Sequence, residues 1–425
     1  MIAADSIVGR GGATVALELD EMRAVLHEAL AGLPAGARLL AIVPDRTRDD
    51  NTHQLFPLAS EILAAKKVAR FDAIIAQGTH PPMTEAQKLA KIGADGVPLP
   101  SLGNIFDHDW NRDDALTTLG SLSAARVREL TAGLLTDSIP VRLNAHLKAG
   151  EYDFVLVFGA TTPHEVAGFA GGAKYFFPGV AGPELTHMTH WLGALASIEN
   201  VIGRVETPVR HLIEAAADLV PAKIISINSV VTRDAAGLDT RALFAGDFRL
   251  AFRRAAEVSA QVHIRYTPRR YRRVLALLDE HYDELWVGGK ASYKLGGIIE
   301  TGGELIIFAP NLKEISATHG RLIEKYGYAP LEQVRDMVEG SEELRANLAV
   351  AAHLAHVSYA GARNSQGRVT PRFSITLATG IPEDVCRRVK LGYRDWRAVD
   401  RREFELDPDA LVVENAGRDL YLVQN

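Results

Sequence analysis

The chain has almost no cysteine, Cys386 being the only one in 425 residues. Internal disulfides and cysteine-cluster metal sites are therefore excluded, which fits a reducing compartment and makes the cytoplasm the expected location. No apolar run reaches the roughly 20 residues that a membrane-spanning helix needs, so no membrane association is expected. The opening stretch MIAADSIVGRGG has acidic character early and no apolar core, unlike a secretory signal. Extended basic blocks are also missing. The net charge is -6, and the one basic cluster, Arg269, Arg270, Arg272 and Arg273, sits beside apolar positions and reads as a solvated helix face. Nucleic acid is not an expected partner. There is no internal repeat and no low-complexity tract. With 47% hydrophobic and 24% charged residues, the composition is that of a folded globular protein.

A chain of this length exceeds what one hydrophobic core usually supports, so two domains are expected. Short β-branched or apolar runs recur at Leu39–Val43, Ala73–Ala76, Phe154–Phe158, Ile224–Val231, Leu285–Val287, Leu305–Phe308 and Phe373–Leu377. Helix-length amphipathic stretches lie between them, at Leu55–Lys67, Val209–Ala217, Thr240–Ser259 and Leu331–Glu339. This alternation predicts an α/β fold of two domains with largely parallel sheets and an active site between them. A boundary is placed near Ile264–Arg270, where one helix pattern ends and Pro268 precedes another. The reading is 1–266 for an N-terminal domain with a cofactor-binding loop and 267–425 for a C-terminal domain, whose last segment packs back on the first.

In sheets of this kind ligands collect beyond the carboxyl ends of the strands, and the chemically interesting residues stand there. The run ending at Val43 enters PDRTR, the run ending at Ala76 enters QGTH, and the run ending at Phe158 enters GATTPH. Three strand-end loops thus offer Asp45 with Arg48, His80, and His164. The segment PHEVAGFAGGAKYFFPG follows, in which Gly168, Gly171 and Gly172 allow backbone N–H groups to approach a phosphate or flat ring closely. It is not a Walker loop, because Ala173 precedes Lys174 and Tyr175 stands where Ser or Thr would hold magnesium. A glycine-rich turn with a surface lysine is the alternative reading. Within HMTH, His187 and His190 are spaced to share a helix face. That spacing alone suggests zinc at low specificity, or a structural role for His187.

His164, Lys174, His190 and the residues between them carry a resemblance to the nickel-dependent lactate racemase family. Its signature opens on Pro-His, continues to Gly-Gly-x-Lys and ends on a later histidine. The flanking IPVRLNAHL, FFPGVAG, the Asn200 segment, ETPVRHLIEAA, DRTR and GTH are similar to family counterparts as well. The resemblance implies a cytoplasmic isomerase, a 2-hydroxy-acid racemase or epimerase acting by reversible hydride transfer. Its cofactor would be a nickel-pincer nucleotide, the Ni(II) complex of a pyridinium-3,5-bisthiocarboxylate mononucleotide, bound covalently to Lys174. His190 would complete a planar nickel site, a geometry that suits Ni(II). His80 and His164 would be the paired acid–base residues, a role suited to an imidazole of pKa about 6.5. Asp45, Arg46, Thr47, Arg48, Gly171 and Gly172 would contact the cofactor. Arg48, Lys294 and Tyr359 would contact the substrate, and cofactor-synthesis proteins would be transient partners.

The chain departs from the family around GGKASYKLGG. The family commonly has Gln-x-x-Lys there; Lys294 is the best match and Lys290 the alternative, and Ala291 takes the glutamine position. The family's substrate-side tryptophan has no obvious counterpart, although Tyr359 falls in that region. Two other readings remain open: a zinc-dependent hydrolase using His187, His190 and a carboxylate, and a cofactor-binding protein without catalysis.

Overall fold

The computed structural model describes residues 6–234 and 237–424; residues 1–5 of the opening stretch lie outside them. The chain divides into two compact units. Unit 1 is the chain up to Thr189 together with Arg204–Val262, and unit 2 is His190–Gly203 together with the chain from His263 onward. Both are α/β.

Unit 1 is built on a sheet of seven strands, Ile7–Gly11 (β1), Arg38–Pro44 (β2), Arg70–Ala76 (β3), Leu102–Phe106 (β4), Phe154–Ala160 (β5), Lys223–Asp234 (β6) and Gly237–Gly246 (β7), in the order β1-β7-β6-β5-β2-β3-β4. From β6 to β4 all neighbours are parallel, while β7 pairs antiparallel with β6 and with β1. The sequences RLLAIVP of β2 and FVLVFGA of β5 are apolar almost throughout and buried along nearly their whole length, as a strand covered on both faces requires. Helices Leu19–Ala29 and Thr52–Ala65 supply one cover. Phe56 from the second of them stacks on Phe71 at 5.1 Å and meets Phe158 at 5.6 Å, centring the core on β3 and β5. Burial of each such ring contributes about 1.5–3 kcal/mol.

The strand order fixes where a ligand belongs. From β2 the chain moves outward through β3 to β4, then returns to place β5 on the other flank of β2. The carboxyl ends of β2 and β5 therefore flank a topological switch point, where the loops diverge and leave a crevice.

Unit 2 has five parallel strands, Tyr271–Leu277 (β8), Ile299–Ala309 (β9), Ser374–Thr379 (β10), Gly392–Tyr393 (β11) and Ala410–Val413 (β12), ordered β11-β10-β9-β8-β12. A separate parallel pair joins Ile264–Thr267 to Leu420–Val423. Among the described residues no helix is long and apolar enough to cross a membrane.

Three local expectations are corrected. Leu285–Val287 is helical, within Leu285–Gly288, because a short apolar run does not distinguish strand from buried helix. The stretch Thr240–Ser259 is the end of β7 followed by helix Phe248–His263, divided at Asp247, whose carboxylate accepts from the N–H groups of Arg249 and Leu250 as an N-cap. The basic cluster is not a helix face: Arg272 and Arg273 lie in β8, where Arg273 is paired with Glu403 and Asp407.

Candidate active site

Asp45 directly follows β2 in a buried position, and its carboxylate is fully engaged. One oxygen accepts from the backbone N–H and the hydroxyl of Thr47 at 2.9 and 2.6 Å, forming an Asx turn; the other meets His80 Nδ1 at 2.5 Å. Burial alone would raise this carboxyl, but the His80 hydrogen bond, the charges of His80 and Arg48, and the Thr47 bond outweigh it and hold it well below the usual carboxylate range. Asp45 is therefore ionised and acts as an acceptor. His80 must then carry its proton on Nδ1, leaving Nε2 as the basic nitrogen in the neutral ring. Its loop is set by a turn in which the His80 N–H donates to the Gln77 carbonyl. Arg46 and Thr47 are exposed and Arg48 is half-buried.

His164 follows β5 and is buried, but its ring is held the other way. Nδ1 accepts from the Val166 N–H at 3.1 Å, which leaves the neutral ring protonated on Nε2, and the Glu165 carboxylate stands 3.5 Å from the same Nδ1. A second proton on His164 would exchange the Val166 bond for Glu165. Each histidine thus has its own carboxylate on the Nδ1 side.

The glycines also let the loop pack closely within unit 1. At Gly171 (φ +102) an added Cβ would fall 2.5 Å from Thr161 Oγ1, and at Gly168 (φ +78) one would fall 1.9 Å from the Arg204 carbonyl oxygen. Their backbone approaches unit 1 itself in a left-handed conformation closed to other residues. The Gly172 N–H donates to Asn228 Oδ1 on β6 at 2.9 Å. The loop then turns into Gly172–Tyr175, which carries Lys174. Lys174 is only 9% exposed. Burial, and next the positive charge of Arg48, push its amine well below the usual lysine range; Arg210 adds to this, while Glu165 and Asp45 oppose it.

Sequence reasoning missed two residues that hold this loop, Asn228 and Arg210. Arg210 is fully buried on helix Pro208–Ala217 and donates to the carbonyls of Gly171 and Phe169 at 3.1 and 2.5 Å, with Phe252 3.7 Å beneath its guanidinium. Its signal was a charged residue in the apolar stripe of ETPVRHLIEAA; that of Asn228 was a polar residue inside the strand run IISINSVV. Arg210→Lys should lower unfolding stability by about 2–5 kcal/mol, because a point charge cannot bond both carbonyls and buried unpaired groups are costly. Chemical denaturation measures this, and a wild-type midpoint would show that the fork is not needed.

The helix Pro183–Leu195 carries both His187 and His190. His187, in unit 1, lies edge-on to Trp110 at 6.4 Å, and burial lowers its pKa. His190 belongs to unit 2. Among the described residues no group of three or more His, Cys, Asp or Glu side chains is arranged to hold a metal ion.

In unit 2 the helix Lys290–Leu295 buries Lys294 to 4% exposure, with Lys290 half-buried and its ammonium 5.8 Å from the Tyr282 ring centre. Tyr359 is also buried. It occupies a positive-φ γ-turn (φ 63, ψ -70) closed by the Ala360 N–H on the Ser358 carbonyl at 2.8 Å, a strained geometry for a non-glycine residue. Its ring lies against Gly296.

Residues 25–203 match the family model described as the lactate racemase N-terminal domain. A lactate racemase from Thermoanaerobacterium thermosaccharolyticum is 27% identical over 153 residues, covering 36% of this chain and only 32% of that protein. The structure of the lactate racemase apoprotein from the same organism superposes with a TM-score of 0.68 at 17% identity, covering 98% of this chain and 94% of that one. A protein of known crystal structure from Thermotoga maritima is 31% identical, with a TM-score of 0.87 and coverage of 98% and 100%. The matched region contains both histidines with their carboxylates and the Lys174 loop, so the part of the chain that resembles the lactate racemase N-terminal domain is the part that carries the candidate site.

Proposed function

We propose that the protein racemises or epimerises a lactate-like 2-hydroxy acid, using a nickel-pincer nucleotide attached to Lys174. The observation that carries this reading is the matched pair of histidines, each engaged through Nδ1 on the side of its own carboxylate, Asp45 or Glu165. That arrangement suits exchange of one hydroxyl proton through Nε2. Neutral His80 accepts there, while His164 gives its Nε2 proton once a second proton on Nδ1 faces Glu165 in place of the Val166 bond, and in the state so left accepts there in reverse. In one direction His80 takes the hydroxyl proton and His164 returns one; in the reverse direction the roles exchange.

The residues fit the cofactor in two respects. Covalent attachment needs a neutral amine, which burial and Arg48 provide at Lys174. The hydroxyl of Thr161, buried against Gly171, finds no hydrogen-bond partner among the described residues and adds a polar atom at the loop. When bound, the group supplies the hydride acceptor and donor that the side chains lack. His190 would be its one protein ligand on nickel. Arg48 and Lys294 would hold the substrate carboxylate, Arg48 by a bidentate fork.

Turnover in D2O tests the route. The opposite enantiomer should form with protium retained at Cα, because the histidines handle only the hydroxyl proton. Substantial deuterium at Cα after one turnover, read by NMR of the isolated product, would mean that Cα is deprotonated instead.

A further inference from the structure

Lys294 sits on a helix of six residues, too short to hold its own orientation in water. Its direction must be imposed from outside. Among the elements packed on it, the helix Leu348–Ser358 and the residue after it supply the hydrogen bonds and the ring contact described next.

Ser292 donates its hydroxyl to the Val357 carbonyl at 2.7 Å, satisfying one of the carbonyls left open at a helix end. Tyr293 is bonded through its hydroxyl to His353 Nδ1 at 2.8 Å. Successive helical residues point about 100° apart, so these two adjacent anchors fix the rotation of the helix about its axis, and with it the direction of Lys294. Beyond Lys294, the Tyr359 ring is pressed so closely on Gly296 that a Cβ there would fall 2.2 Å from it. The strained γ-turn at Tyr359 is what aims the ring.

His353 is itself held from every side. Its Nε2 bonds the Tyr328 hydroxyl at 3.2 Å, and Trp286 covers the ring with centroids 4.1 Å apart. Burial keeps the imidazole neutral. A neutral ring has one N–H and one lone pair, so it donates to one tyrosine and accepts from the other. Tyr328, His353 and Tyr293 thus form a single directional chain ending beside Lys294.

We propose that His353, Ser292 and Tyr359 are positioning residues that aim the Lys294 ammonium, a role whose catalytic meaning rests on the substrate contact assigned to Lys294 above. The resemblance gave Tyr359 to the substrate; its ring also lies against Gly296, directly after the lysine-bearing helix.

The test uses full-length protein with His353→Phe, which keeps the ring and its stack on Trp286, and Ser292→Ala, which removes one hydroxyl and guards against a folding failure in the first. Acylation by acetic anhydride, followed peptide by peptide by mass spectrometry, reads the Lys294 amine without any need for activity. Its rate should change several-fold in both variants while the exposed Lys148 and Lys223 react as before. An unchanged Lys294, or an equal change at all three lysines, overturns the proposal. In the loaded enzyme, His353→Phe should lower kcat/KM by roughly 10²-fold, as expected for a displaced binding group. That loss should disappear in a Lys294→Met background, and additive losses would overturn the proposal. A selective change in acylation together with an unaltered KM in Lys294→Met supports the positioning role and removes the substrate contact.

Discussion

Replacing His80 with alanine should lower turnover by about 10²–10⁴, the usual contribution of a positioned acid–base residue. Asp45→Asn should lose much of the same factor while leaving the imidazole in place. The ionised Asp45 accepts the Nδ1 proton at 2.5 Å and so keeps the Nε2 lone pair toward the reaction; an amide can donate to Nδ1 and reverse the tautomer. Two measurements bear on this. Nitrogen chemical shifts of the His80 ring should report Nδ1–H in the wild type and a shift of the proton toward Nε2 in Asp45→Asn, with or without cofactor. Kinetics on an enantiomer pair should show kcat/KM falling equally in both directions, because the two ends of the reaction have the same free energy. A full wild-type turnover in Asp45→Asn would leave the carboxylate as a loop anchor only.

Lys174→Met should abolish the covalent adduct and with it all activity. Intact-mass analysis of protein made alongside the cofactor pathway decides this, and an adduct surviving in the variant would place the attachment elsewhere. A second consequence is thermodynamic and concerns protein without cofactor. Burial depresses the amine of Lys174 in the folded state, so below the unfolded lysine pKa of about 10.4 the unfolded chain binds a proton that the folded one resists. This disfavours folding at neutral pH, and the handicap shrinks as the pH rises toward that value. Lys174→Met should therefore be more stable than wild type at pH 7, with the difference narrowing in alkali. Denaturation midpoints across pH measure it, and a gap that widens in alkali would contradict the buried neutral amine.

The strand-end loops were legible because their apolar runs end abruptly in polar, histidine-bearing turns: Val43 before PDRTR, Phe158 before GATTPH. Those strands are buried on both faces, so composition alone marks them. What failed were short or mixed runs. Leu285–Val287 is apolar like a strand but is held in a helix by tertiary contacts, and the stop at Asp247 went unread although Asp is a strong N-cap. Within the site, the histidines were visible by residue type, whereas their ring orientations depend on Asp45, Glu165 and the Val166 N–H, which only the folded chain brings to them. Arg210 and Asn228 lay hidden inside regular elements, where a polar residue in an apolar pattern was the only sign.

The division of the chain has a consequence for its synthesis. His190–Gly203 belongs to unit 2, yet it leaves the ribosome before the last part of unit 1, Arg204–Val262, and well before its own partners from His263 onward. At about 5–20 residues per second, this segment waits several seconds at least for the first of those partners. Unit 1 meanwhile becomes complete on both sides of it. Vectorial folding therefore closes the first unit while the stretch bearing His190 is still unassembled, so that residue reaches its final surroundings only in the last stage of translation.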